Sequence, residues 1–456
     1  MPFPAKQTVV RVLSRAPVYR AIPSGAVRTY AALKYLGENS NQEEITGYIR
    51  QCGGIPTRHL STAVIAARAV FRAGADDLLS ETLAVLDARF PESPDLQALH
   101  ADIHAYHGRY DEALRSARKG RLLTPSHAAS AARVVQYGYR VLSQEDADAA
   151  SVDAVRRFPR NGEVLWSAAK LCDSAAQYRR MREAWDSKLV EPEDLLKAVR
   201  QLATAAARAG EIDDAVELYK RAIALVRDGA QLDAPIIDSK LEGKGAWSAF
   251  EDLHEALDSA GVPYFIAAGT ALGLVRVGRP LSSDNDIDVG VFDEEFDYDA
   301  LVALFAKNPR FDFDVVHPHT KKIGLKHRGG SPIDIFRFYR ENGNVYHDAV
   351  FVRWANSPFD VERREIQGLN LPLPADADKY LTENYGDWRT PNANFDAFIT
   401  EDAPNVETTW PEYLRLHYVR RGYKKQSAGD LAAAAAELRR AGEDQLADTL
   451  SKGNRA

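Results

Sequence analysis

GTALGLVRVGRPLSSDNDIDVGVF, from Gly269 to Phe292, joins a helical pattern to a strand-like one. Tyr264 to Ala268 ahead of it reads as a strand, and the Gly269–Thr270 turn then opens a helix. NDIDVGVF, Asn285 to Phe292, reads as a second strand. Side chains two apart on a strand share a face, which predicts Asp286 and Asp288 side by side with Cα atoms about 7 Å apart. Ile287 and Val289 then point to the opposite, buried face. Working outward, FEDLHEALDSA reads as a helix over Ser248 to Ala260 that stops at Gly261. Downstream come a helix near Asp299 to Lys307, the strand-like FDFDVV, and a further strand, PIDIFRFY, from Pro332 to Tyr339. The last of these sets Asp334 between Ile333 and Ile335.

Carboxylates flanked by β-branched residues are costly to bury unpaired, and a divalent cation is their natural compensation. Asp286, Asp288 and Asp334 are therefore the predicted metal ligands. Mg²⁺ is the expected ion, with Mn²⁺ sharing its preference for oxygen. Gly269 and Thr270, at a helix N-terminus, are expected to offer backbone N–H groups to a phosphate oxygen. An isolated Asp-x-Asp is common as a solvated pair. The order Gly-Thr turn, Asp-Ile-Asp, then Ile-Asp-Ile is far more specific, and it is the order of the nucleotidyltransferase fold.

The segment from Gly269 to Asp288 resembles the signature of the LicD/fukutin phosphotransferase family. It carries Gly269, Thr270, Leu272, Gly273, Val275, Arg276, Asp284, Asp286, Ile287 and Asp288 in ungapped register. Ile333 to Phe336 looks like that family's next acidic strand. Leu371 to Pro374 and YLTENYGDWRTP look like its Pro-containing strand and the helix end after it. The departures are Ser283 for a Trp, Pro280-Leu281-Ser282 for Phe-Ile-Pro, Asn285 for an Asp and Val277 for a His. Loss of the aromatic and the His bears on the substrate pocket, not on the acids.

The resemblance implies transfer of a phosphorylated group, phosphocholine or an alditol phosphate, from a CDP-activated donor to a hydroxyl of a cell-surface glycan such as capsule, lipopolysaccharide or a teichoic-acid-like polymer. Asp286 and Asp288 would hold the metal across the pyrophosphate. Asp334 would complete the shell or take the acceptor's proton, and Arg276 would neutralise developing phosphate charge. Arg279 is expected at the substrate. The acid-free run HPHTKKIGLKHR, His317 to Arg328, is expected as a basic loop that brings Lys321, Lys322, Lys326 and His327 to phosphates. Tyr385 and Trp388 are expected to line the nucleotide pocket. Two other readings stay open: a nucleotidyltransferase that releases pyrophosphate, and a scaffold beside an inactive nucleotidyltransferase-like domain.

The first half of the chain has another texture. From about residue 40 to 230 it is rich in Ala, Leu and Arg and reads as consecutive helices. Pro91, Pro125 and Pro159 recur every 34 residues, and Gly74 and Gly108 keep the same spacing. That is the period of tetratricopeptide repeats, whose helix pairs each need a neighbour to cover their apolar faces. The expected organisation is a basic helical leader over 1–40, TPR-like repeats over 41–235, an α/β catalytic domain with a mixed sheet over 240–425, and a helical tail over 426–456. The repeats serve either as a surface for a protein or polymer partner or as a spacer against the catalytic half.

Of the 456 residues 45% are hydrophobic, enough for several cores, which excludes wholesale disorder. Cys52 and Cys172 are too few and too distant for a zinc site or a disulfide framework. A net charge of -7 argues against a dedicated nucleic-acid binder. Yet Lys6, Arg11, Arg15, Arg20, Arg28 and Lys34 precede the first acid, Glu38, and such a leader suits an anionic membrane surface or a solvated helical flank. No signal peptide or spanning segment is evident. A cytoplasmic location follows as the expectation, with peripheral association at the inner face of the membrane as its variant.

Overall fold

The computed structural model describes residues 26–39, 42–185, 191–230, 244–281, 284–392 and 394–452. Lys6, Arg11, Arg15 and Arg20 of the basic leader lie outside them, as do Ser282 and Ser283.

Among the described residues the first half is entirely helical. The helices are α1 (Ala26–Asn39), α2 (Gln42–Gln51), α3 (Leu60–Arg72), α4 (Asp76–Arg89), α5 (Pro94–Tyr106), α6 (Tyr110–Leu123), α7 (Ala128–Val141), α8 (Gln144–Arg157), α9 (Gly162–Lys170), α10 (Ala175–Trp185), α11 (Pro192–Arg208) and α12 (Ile212–Arg227). Their ends follow from local chemistry. Ser93 and Asn161 cap α5 and α9 by accepting the N–H of Leu96 and Val164, and Pro94 occupies the first turn of α5. Gly74 and Gly108 take positive φ in the tight turns between paired helices, where an L-residue would be strained. The small residues Ala113, Ala117, Ala131 and Ala132 are buried where neighbouring helices meet.

The second half is a mixed sheet with helices, in the order α13 (Lys244–Ser259), β1 (Phe265–Ile266), α14 (Ala268–Val277), β2 (Ile287–Phe292), α15 (Tyr298–Ala306), β3 (Phe311–Phe313), β4 (Lys322–His327), β5 (Pro332–Glu341), β6 (Asn344–Asp348), β7 (Val352–Asn356), β8 (Val361–Ile366), β9 (Leu369–Pro374), α16 (Ala377–Tyr385) and β10 (Val406–Thr408). Strand β5 is central. Its first half lies between β2, parallel, and β4, antiparallel, and its second half pairs with β6. The path runs β1-β2-β5-β6-β7-β10, β3 extends it beyond β4, and β8–β9 form a separate hairpin.

Parity then sorts the side chains. Ile287, Val289, Ile323, Leu325, Ile333 and Ile335 share one face and bury against Phe250, Leu253 and Leu257 of α13 and Leu301 and Phe305 of α15. Asp288 lies opposite Asp334 in the parallel register, so both acids project from the other face. Farther along, that acid face becomes aromatic, with Phe265, Phe292 and Phe338 closely packed.

Two features differ from the sequence expectations. The run His317 to Arg328, expected as a basic loop, contains strand β4, because Ile323 and Leu325 alternate with Lys322 and Lys326 and bury on the sheet's apolar face. The chain also returns to the helical array. Helix α17 (Pro411–Ser427) runs through the boundary expected at 425 and packs with α18 (Leu431–Arg440) and α12, and α19 (Asp444–Lys452) packs in turn on α18. Val419, Tyr423 and Leu438 share one apolar core with Ala215, Leu218 and Ala222 of α12.

Candidate active site

The acids gather where α14 and β2 begin. One carboxylate oxygen from each of Asp284, Asp286 and Asp288 lies within 4.8 Å of the others, which suits a hard divalent cation. Asp288 is fixed at both ends. Its N–H donates to the buried Thr270 Oγ1 at 2.8 Å, and its Oδ2 accepts from the Gly269 N–H at 3.2 Å. The turn that delivers Gly269 is itself constrained. Ala268 takes φ 43°, a left-handed conformation costly for a residue with a Cβ. Its N–H donates to the Tyr380 hydroxyl at 3.2 Å.

Gly269 also admits Asp284. A Cβ on that residue would stand 2.6 Å from Asp284 Oδ2. That same oxygen is buried without a hydrogen-bond partner among the described residues. A buried, unpartnered carboxylate oxygen facing two further carboxylates is the donor set a cation needs, so the residues present fit Mg²⁺ or Mn²⁺. The electrostatics agree. Burial pushes Asp284 up to about 6. Burial, reinforced by the negative charges of Asp334 and Asp284, pushes Asp286 up to about 7. Asp288 is driven well above the carboxylate range by burial and then by Asp286 and Asp284.

The predicted residues divide accordingly. Asp286 and Asp288 are together, but Asp286 precedes the strand instead of lying on it. The third member of the cluster is Asp284, not Asp334. Asp334 adjoins Asp286 and is paired with the Lys322 ammonium, which is directed to it from the adjoining strand. Of Gly269 and Thr270, both expected to offer backbone N–H groups to phosphate, Gly269 donates its N–H to the Asp288 carboxylate, while the Thr270 hydroxyl accepts the Asp288 backbone N–H. Arg276 lies near the Tyr385 hydroxyl, its Nε buried and unpartnered. Burial, with the negative charges of Asp288 and Asp284, holds Tyr385 well above its usual range.

The remaining expected residues are placed elsewhere. Lys321 pairs with Asp348 at 3.0 Å. His327 is buried and bonds Asp252 at 2.9 Å. Lys326 lies opposite Asp312 at the β3 edge. Trp388 is buried with its indole N–H on Asp378, and Arg279 is exposed. Asp284 was missed as a member of the cluster because it lies ahead of the strand expected from Asn285, although it keeps the two-residue spacing of Asp286 and Asp288. The available signal was its place in the aligned signature.

Known proteins decide between folds that an acid cluster alone leaves open. Residues 261–376 match the LicD/FKTN/FKRP nucleotidyltransferase domain. The signature from Gly269 to Asp288 falls within this LicD-like span, as do Asp334 and Lys322. The chain is also similar to the ribitol-5-phosphate transferase FKTN of Homo sapiens, 22% identical over 215 residues, which is 44% of this chain and 46% of that protein. The Mus musculus protein of the same name is 22% identical over 218 residues. An uncharacterized protein of Rickettsia typhi is 24% identical over 173 residues, 34% of this chain and 51% of that one. The match thus spans about half the length of these curated relatives. Among the described residues no helix is long and apolar enough to cross a membrane.

Proposed function

We propose that the protein is a metal-dependent phosphotransferase that moves a phosphorylated group, an alditol phosphate or phosphocholine, from a CDP-activated donor to a hydroxyl of a cell-surface glycan. The observation that carries this reading is the convergence of Asp284, Asp286 and Asp288 on one point within a LicD-like domain. These three carboxylates would hold Mg²⁺, with Mn²⁺ as substitute, and Gly269 and Thr270 orient Asp288 toward it. When bound, the ion supplies positive charge against the donor's pyrophosphate.

The chain's own groups do the rest. The Arg276 guanidinium has no carboxylate competing for it among the described residues and would take charge on the transferred phosphate. Asp334, beside Asp286 and paired with Lys322, would receive the proton of the acceptor hydroxyl. The acceptor oxygen forms a new bond to the phosphorus of the transferred group while the bond from that phosphorus to CMP breaks. Ribitol phosphate is the first donor group to try, because the FKTN relatives are ribitol-5-phosphate transferases.

The test is a thermal-shift screen of CDP-ribitol, CDP-glycerol, CDP-choline and UDP- or GDP-sugars with Mg²⁺, followed by product analysis. A CDP compound that stabilises the protein and then yields CMP supports the proposal. Release of pyrophosphate would replace it with nucleotidyl transfer. Full transfer by Asp286→Ala and Asp288→Ala variants would refute the metal site.

A further inference from the structure

The helical array and the sheet domain meet along one line, and the repeat sets its spacing. Arg72, Tyr106 and Arg140 occupy one position of successive helix pairs, 34 residues apart, and Arg208 stands two periods beyond Arg140. Three of these side chains donate to main-chain carbonyls of a single segment. Tyr106 Oη reaches His327 O at 3.4 Å, Arg140 Nη2 reaches Phe313 O at 2.9 Å, and Arg208 Nη2 reaches Val316 O at 3.0 Å. The acids of that segment are taken as well. Tyr110 Oη donates to Asp312 Oδ1 at 2.7 Å, and Lys170 Nζ to Asp314 Oδ1 at 2.6 Å. At the far end Arg328 pairs with Asp76 at 3.0 Å. Helical repeats offer extended surfaces that suit an extended peptide segment. Here the occupant is the chain's own β3–β4 segment.

The same segment reaches the acids. Strand β4 starts at Lys322, whose ammonium pairs with Asp334. The fit between the gripped part and the strand is close. A Cβ on Gly324 would stand 2.6 Å from Val316 Cγ1, so residues 314–316 lie directly on β4. The Asp314 N–H also donates to Gly324 O at 2.8 Å. A shift of the gripped residues must therefore move β4, and with it Lys322.

We propose that the helical array is an intramolecular clamp, and that Tyr110, Arg140 and Lys170 are positioning residues that fix the β3–β4 edge and thereby hold Lys322 against Asp334. The kinetic half of this inference rests on the transferase reading, whereas the structural half does not. The competing reading, that the array merely shields an exposed sheet edge, predicts no effect at the Lys322 end of β4.

The experiment compares the full chain with a Tyr110→Phe/Arg140→Gln/Lys170→Met variant by amide hydrogen exchange, and measures CMP release with the donor that the screen identifies. Amides of residues 322–327 should exchange about ten-fold faster while α5–α9 keep their protection. Turnover should fall at least about five-fold with the donor KM within about two-fold. An Arg140→Lys/Lys170→Arg variant should restore both. Exchange in 322–327 within about two-fold of the parent overturns the clamp, and so does faster exchange spread evenly through α5–α9. If the parent protein transfers nothing, the transferase reading fails, and the exchange data alone then decide the clamp.

Discussion

Asp288 shows how single residues make this site. Its backbone and carboxylate are both held by the first turn of α14, and its neighbours are acids. Protons therefore compete with a cation for the cluster. Asp284 and Asp286 have folded-state values of about 6 and about 7, above the ordinary 3.8, so the folded form binds more protons than the unfolded form between those limits. Stability of the metal-free protein from these groups is full below about pH 4 and is lost as pH rises through 6 to 7. Mg²⁺ binding should release protons and tighten from pH 5 to 8, which calorimetry in buffers of different ionisation enthalpy measures. An Asp286→Asn variant should bind Mg²⁺ at least about ten-fold more weakly, about 1.4 kcal/mol. Its metal-free form should lose less stability over the same pH interval. Gly269→Ala tests the packing behind this chemistry. The new Cβ at 2.6 Å must displace the Asp284 carboxylate, so Mg²⁺ affinity should drop by about ten-fold with the helix content unchanged.

At the scale of elements, β2 carries Asp288 near its start, just after Asp284 and Asp286, and a tight aromatic contact at its middle. A Cβ on Gly290 would lie 2.4 Å from Phe265 Cζ and 2.7 Å from Phe338 Cε2, both on buried rings. Gly290→Ala should therefore destabilise the protein by about 1–3 kcal/mol, read as a lower urea midpoint with an unchanged slope. The alternation that fixes this face was legible in the sequence for β2 and β5, where β-branched residues and acids take turns. It was not legible in β4, where KKIGLKH is dominated by its cations, and the burial of Ile323 and Leu325 depends on pairing with β5. Pairing also splits those cations. Lys321 goes to Asp348, Lys322 to Asp334 and Arg328 to Asp76, while His327, which burial disfavours as a cation, bonds Asp252. Asp284 escaped for a different reason: it keeps the spacing of Asp286 and Asp288 but stands ahead of β2, which begins only at Ile287.

For the whole molecule, the 34-residue spacing revealed the helical array, while its closure by the far end of the chain has no local signal. That closure is apolar. Tyr423 is 1% exposed and Val419 fully buried against α12, the Tyr219 and Tyr423 rings lie 5.9 Å apart, and Gln426 Nε2 donates to Ile223 O at 3.0 Å. Removing residues 411–456 would return Ala215, Leu218, Tyr219 and Ala222 to water, along with the face of α17 that covers them. Each large side chain so exposed costs about 1.5–3 kcal/mol, and a few of them together amount to a large share of a typical folding margin of about 5–15 kcal/mol. Truncation after residue 410 should therefore leave the chain insoluble or lower its melting temperature by more than about 10 °C. Truncation after residue 442 removes only α19, whose buried contribution is Ala447 and Leu450, and should be much milder. Circular dichroism at a helix wavelength follows both. Equal melting of the 410 truncation and the full chain would mean that α17 adds nothing to the array. A single shared transition in the full chain, lost only in the 410 truncation, would establish that both ends of the sequence fold as one unit around the sheet domain.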